Sequence, residues 1–162
     1  MSMNLDERFK VVPGIISQSC TQTSTTNSDA DVTGSSINIP ANVTAGTAYR
    51  ITLCGVNSGG NANSTVDLHL AGTNLITLTT DAVTASDYTA TFVVIFTTPK
   101  AQRAMGTMSS NSLDCECDYA AGTVDVSAGG TLKAVINSGN ASDTITTEMV
   151  LVESWQIDLT TS

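Results

Sequence analysis

Residues 88–96 read YTATFVVIF, and the two faces of this run decide the fold. Side chains of an extended strand alternate sides, so Phe92, Val94 and Phe96 share one face while Val93 and Ile95 share the other. Both faces are apolar. The run TTEMVLVESWQIDL at 146–159 repeats the pattern, with Met149, Leu151, Trp155, Ile157 and Leu159 on one side and Val150 and Val152 on the other. A two-sheet sandwich covers only the inner face of each sheet, so an apolar outer face needs a further cover. Subunit contact is the natural one. The expected oligomer interface is therefore Phe92, Val93, Val94, Ile95, Phe96, Val150, Val152 and Trp155, in a homotrimer. The alternative cover is the N-terminal arm or a long loop of the same chain.

Working outward from these runs, short alternating segments recur between turn clusters, as in a sandwich or barrel. They are 37–39, 48–56, 64–72, 74–80, 88–96, 103–109, 113–119, 123–126, 131–137 and 145–159. Turn signals are strongest in GVNSGGNANS (55–64), SAGG (127–130) and NSGNASD (137–143). The chain has 26 Thr, 18 Ser and 12 Gly against 13% charged residues. Thr and Val fit a pleated, half-buried surface, and Gly, Asn and Ser fit the turns. The fold class this predicts is all-β, a two-sheet antiparallel jelly-roll sandwich of about 8–10 strands with an extended N-terminal arm.

Two segments are expected: an arm and polar linker over 1–36, and a jelly-roll domain over 37–162. The arm, LDERFKVVPGII, ends near the turn pair Pro13-Gly14. Residues 17–36 are small, polar and aperiodic, and bury too little apolar area to offset ordering their backbone. They read as a linker, or as an extended strand laid on something else.

Net charge is −9, with the six cations Arg8, Lys10, Arg50, Lys100, Arg103 and Lys133 scattered along the chain. No basic stripe exists to neutralise phosphates, so no nucleic-acid partner is expected. The N-terminus lacks the apolar core of a signal peptide, and FVVIF is far too short to span a bilayer. No membrane partner is expected, and synthesis in a cytoplasm is. There thiols are the better starting assumption for Cys20, Cys54, Cys115 and Cys117.

The stretch LDCECDY (113–119) places three acids around two cysteines. As a strand it turns Leu113, Cys115, Cys117 and Tyr119 to the core and Asp114, Glu116 and Asp118 to water. Same-face neighbours lie about 6.5–7 Å apart, at or beyond the bridging limit of a disulfide. A zinc site would need ligands from the lone His69 or from Cys20 and Cys54, without a second Cys-x-x-Cys knuckle. No metal and no other cofactor is expected. Asp114, Glu116 and Asp118 are the residues a divalent cation would use, against the plainer reading of a solvated face. No nucleophile elbow, phosphate-binding loop or His-Glu-x-x-His motif is present, and the chain does not read as an enzyme.

The succession PANVTAGTAYRITLCGVNSGGNANSTVDLHLAGTNLITLTT (40–80), then YTATFVVIFTT (88–98) with Gly106, then SAGGTLKAVINSGNASDTITTEMVLVESW (127–155), resembles the small jelly-roll structural proteins of tailed bacteriophages. These decorate heads or form modules of tails and fibres. The resemblance implies a capsid decoration or cement protein, a trimer seated on the major capsid protein at the virion surface. It also implies that Arg8, Phe9, Lys10, Val11, Val12, Ile15 and Ile16 form an arm gripping the capsid. The alternative is a tail or fibre module that binds a host glycan through loops 55–64 and 137–143. Scarce aromatic side chains argue against that alternative, and a sandwich-fold hydrolase ranks last.

Overall fold

The computed structural model describes residues 14–58, 63–80, 86–110 and 113–157. Twelve strands follow in order: β1 (Gly14–Ser19), β2 (Thr23–Thr25), β3 (Ala30–Asp31), β4 (Ile37–Ile39), β5 (Thr47–Ser58), β6 (Thr65–Leu70), β7 (Thr73–Thr79), β8 (Ser86–Thr98), β9 (Ala101–Ser110), β10 (Leu113–Gly122), β11 (Gly130–Asn137) and β12 (Thr144–Gln156). A seven-stranded sheet runs β1-β12-β5-β8-β9-β10, with β2 also on β12. A five-stranded sheet runs β3-β11-β6-β7, with β4 also on β11. All pairings are antiparallel. The chain passes between the sheets after β2, β4, β5, β7, β10 and β11, giving a jelly-roll sandwich.

Alternation accounts for the core. From the seven-stranded sheet, Ile51, Leu53, Phe92, Val94, Phe96, Val150 and Val152 point inward. They meet Val66, Leu68, Leu70, Ile76, Leu78, Leu132, Ala134 and Ile136 of the five-stranded sheet, and all are essentially inaccessible. Each large aliphatic or aromatic side chain so buried stabilises the fold by roughly 1.5–3 kcal/mol. Tyr49 and Phe96 meet edge to face, with ring centroids 6.1 Å apart.

This arrangement corrects the expected subunit interface. Phe92, Val94, Phe96, Val150 and Val152 fill the chain's own core, because the opposite sheet covers them. Val93, Ile95 and Trp155 point outward and stay partly exposed. In β12 the faces are set by a bulge between Thr147 and Met149. Ile145 and Thr147 before it and Val150 and Val152 after it all face inward, which a regular strand could not achieve. Gly55 opposite permits the bulge, since a Cβ there would lie 2.0 Å from the Thr146 carbonyl oxygen.

Residues 17–36, expected as a linker or as an extended strand laid on something else, take the second course. β1 and β2 extend the large sheet along β12, and β3 adds to β11. Val32 and Ser35 are buried. The Ser35 hydroxyl donates to the Val32 carbonyl at 2.8 Å and accepts from Ala134 N–H at 3.0 Å.

Residues 123–126, expected as a strand, form none. The fully buried Gln102 holds this crossing segment instead. Its Nε2 donates to the Val124 carbonyl at 2.8 Å, and its Oε1 accepts from Val124 N–H at 3.1 Å. One side-chain amide here replaces a neighbouring peptide group. The β6–β7 hairpin turns through Ala71 (φ 48°) and Gly72 (φ 81°), the two positive φ angles of a type I′ turn.

Candidate functional site

The seven-stranded sheet is the larger of the two, and its outer face is built from six strands side by side. Strand register lines up Ile15, Glu153, Arg50, Val93, Met105 and Tyr119 as direct cross-strand neighbours, one from each of β1, β12, β5, β8, β9 and β10. Five strand spacings make this row about 24 Å wide. The adjacent row is Trp155, Ala48, Ile95, Arg103 and Ala121. On the other side lie Gln18, Leu151, Thr52, Thr91, Thr107 and Cys117.

Exposure along these rows is uneven. Tyr119 is 61% exposed and Met105 49%, side by side at the β9–β10 end, while Ile15 is 64% exposed at the far rim. Ala48, although on the outer face, is wholly covered, in register between Trp155 and Ile95. Arg50 lies 5.9 Å from the Trp155 ring centroid and donates from Nε to Glu153 Oε2 at 2.7 Å. Arg50 Nη2 reaches the same oxygen at 2.5 Å, so two guanidinium nitrogens converge on Glu153 Oε2. The centre of the face is therefore a fixed charge pair flanked by Trp155, Ile95 and Val93, with Met105 and Tyr119 as an open apolar end. Where β1 meets β12, Gln18, Ser19, Cys20, Met149 and Leu151 line a shallow depression.

The structure overturns the core placement expected for Cys117 and Tyr119 of LDCECDY, while Asp118 is exposed as expected. Cys117 is exposed, and Tyr119 lies on the outer face beside Met105. Glu116 and Asp118 take the inward parity: Asp118 pairs with Gly106, whose missing Cβ would meet Ile76 and Phe92 of the core. A register shift between Leu113 and Glu116 resets the alternation. β10 is a rim strand, so its inward face looks past the opposite sheet onto the edge of β7. There the Glu116 carboxylate accepts the Thr79 backbone N–H at 2.5 Å. The acid caps an edge donor of the other sheet, and Asp118 accepts from Tyr119 N–H at 2.7 Å. The side chain of Asp114 lies outside those the structure describes. Among the described residues no three His, Cys, Asp or Glu side chains are placed to hold a metal ion.

Cys20 is exposed and Cys54 half-buried, with its sulfur 3.7 Å from the Thr89 hydroxyl. His69 sits on the outer face of the small sheet opposite Lys133. Beside it, Asp67 is 9% exposed. Its Oδ1 has no hydrogen-bond partner among the described residues. Burial pushes its carboxyl above the usual range, against the opposing pull of Thr77 and His69. Of the expected arm, Arg8, Phe9, Lys10, Val11 and Val12 lie outside the described residues. Ile15 and Ile16 are on β1, 64% and 47% exposed. The exposed Met105–Tyr119 pair was missed from the sequence. Its signal was the alternation of 103–109 and 113–119, but choosing the outer face required the register.

No family model matches the chain, and no curated protein matches it in sequence. Among solved structures, a seed lectin isoform of Lotus tetragonolobus superposes with a TM-score of 0.53 at 7% identity, covering 93% of this chain and 95% of the lectin. A structure of lectin UEA-II complexed with galactose is aligned over 89% of this chain and 92% of its own, with a TM-score of 0.41 at 10% identity. The first likeness establishes the β-sandwich jelly-roll fold. At that identity it speaks to the fold alone.

Proposed function

We propose that the protein is a structural component of a tailed-bacteriophage virion, a decoration or cement protein that binds the assembled major capsid protein lattice. The observation that carries this reading is the outer sheet face, where Val93, Met105 and Tyr119 stand in one row with Ile95 and Trp155 beside them. A contiguous apolar patch edged by charged and hydroxyl side chains is the surface of a binding protein. The fixed Arg50–Glu153 pair gives it a polar reference point at little entropic cost on docking. The sequence resemblance to phage jelly-roll proteins supplies the kind of partner. A non-catalytic role fits, because the face offers a broad surface in place of a cleft.

The test is co-sedimentation of the purified chain with heads assembled from major capsid protein. Met105→Asp with Tyr119→Asp should abolish saturable binding while thermal unfolding stays near wild type, since both side chains are about half or more exposed. Removing residues 1–12 tests the arm without touching β1. Pelleting with tails or host cells in place of heads, or competition by soluble glycans, would overturn the decoration reading in favour of a tail or fibre module.

A further inference from the structure

The four rims of the two sheets are not alike. β10 carries Glu116 and Asp118, charges that discourage strand addition. The β7 edge lies against β10 and has the Glu116 carboxylate on its Thr79 N–H. On the far side of the small sheet, β3 and β4 are two and three residues long. β1 is different: it ends the seven-stranded sheet with six residues and no charge. From Val11 to Ser28 no residue is charged, in a chain of net charge −9.

We infer that β1 pairs antiparallel with β1 of a second copy of this chain across a two-fold axis, joining the two large sheets edge to edge. Strongly acidic copies repel each other generally, so a lasting contact forms where charge is missing, and this rim is that place. The register follows from the pleat. Residues directly opposite in a sheet point to the same side, and a two-fold axis normal to the sheet preserves that side. A residue must therefore face its own copy. The regular part of β1 lies after its irregularity between Ile15 and Ser17, which centres the axis on Gln18. Ser17 then faces Ser19, and Ile16 of the second copy falls opposite Cys20. That position borders the depression lined by Cys20, Met149 and Leu151. The exposed Ile16 thus has an apolar seat in the neighbouring chain, and the seat has an occupant. The contact is isologous, so the stoichiometry is two, where the sequence resemblance implies three.

Light scattering on the purified chain reads this without any capsid, so its failure is separable from failure of head binding. The expected mass is twice 16.7 kDa at micromolar concentration. Gln18→Lys places like charges face to face across the axis and should weaken dimerisation about tenfold or more, although it lowers the net negative charge that separates the copies. Gln18→Glu should weaken it as well. Gln18→Cys in a Cys20→Ser background should form an intermolecular disulfide under mild oxidation, since facing Cα atoms at about 4.5–5.5 Å are within bridging range. Met105→Lys, on the sheet face, should leave the dimer intact. A monomer at 100 micromolar order, a trimer, or a dimer broken by Met105→Lys and indifferent to Gln18→Lys would each overturn the inference.

Discussion

Gln102 holds the crossing between β10 and β11 with a single amide, and removing that amide has a cost that can be worked out. In Gln102→Leu the side-chain volume is nearly kept, while Val124 loses both the acceptor of its N–H and the donor to its carbonyl. A buried group left without its partner costs about 1–3 kcal/mol. Val124 is only partly buried, so water recovers some of this, and the expected loss is about 2–4 kcal/mol. For a chain of this length that lowers Tm by roughly 5–15 °C. Gln102→Glu adds a pH signature. A protonated carboxyl can donate to the Val124 carbonyl and accept from its N–H, whereas the ionised form has no donor. Burial favours the neutral form, so the folded pKa lies above the unfolded value of about 4.3. The variant's stability is then fully present below the unfolded pKa and is lost as pH rises through the folded one. Thermal unfolding followed by circular dichroism at pH 4 and pH 7, with wild type as reference, should show the Glu variant near wild type in acid and well below it at neutrality. The Leu variant should be low at both. A Leu variant within about 0.5 kcal/mol of wild type, or an equal Glu deficit at both pH values, would refute this account.

Asp67 should behave in the opposite sense on removal of its charge. Its raised carboxyl pKa means that ionisation costs stability as pH rises through the folded value, so Asp67→Asn should raise Tm at pH 7, with the gain shrinking below about pH 4. Ala71 occupies a left-handed conformation that disfavours a Cβ-bearing residue other than Asn or Asp, and Ala71→Asn should stabilise the hairpin by about 1 kcal/mol in denaturant unfolding. The Tyr88 phenol, buried at the core margin, lies 2.7 Å from the Thr147 hydroxyl, itself fully inaccessible. Tyr88→Phe should cost about 1–2 kcal/mol, and Tyr88→Phe with Thr147→Val should recover part of it, as a double-mutant cycle would measure.

The strands themselves were legible from one dimension. β4 to β12 fall on the runs read from alternation and turn residues, because a period of two and the placement of Gly, Asn and Ser are local properties. The jelly-roll class followed from their number and spacing. Where the sequence misled, the cause was a decision that alternation cannot make. YTATFVVIF has two apolar faces, and nothing local says that Phe92, Val94 and Phe96 are the inner set. LDCECDY looked like a strand with thiols inside, yet β10 is at a rim, where the Glu116 carboxylate meets the edge of β7 in place of a core. Residues 17–36 lack periodicity because their order comes from β11 and β12 across the fold.

The sequence by itself therefore determined the elements, the dominance of threonine-rich strands and the lack of charge around β1. Tertiary structure alone decided which face is covered. It did so through a bulge that shifts parity inside β12, a register that aligns Val93, Met105 and Tyr119 into one outer row, and a glutamine amide standing in for a strand. Each depends on partners far along the chain, and a side chain's environment is set by what lies opposite it in space.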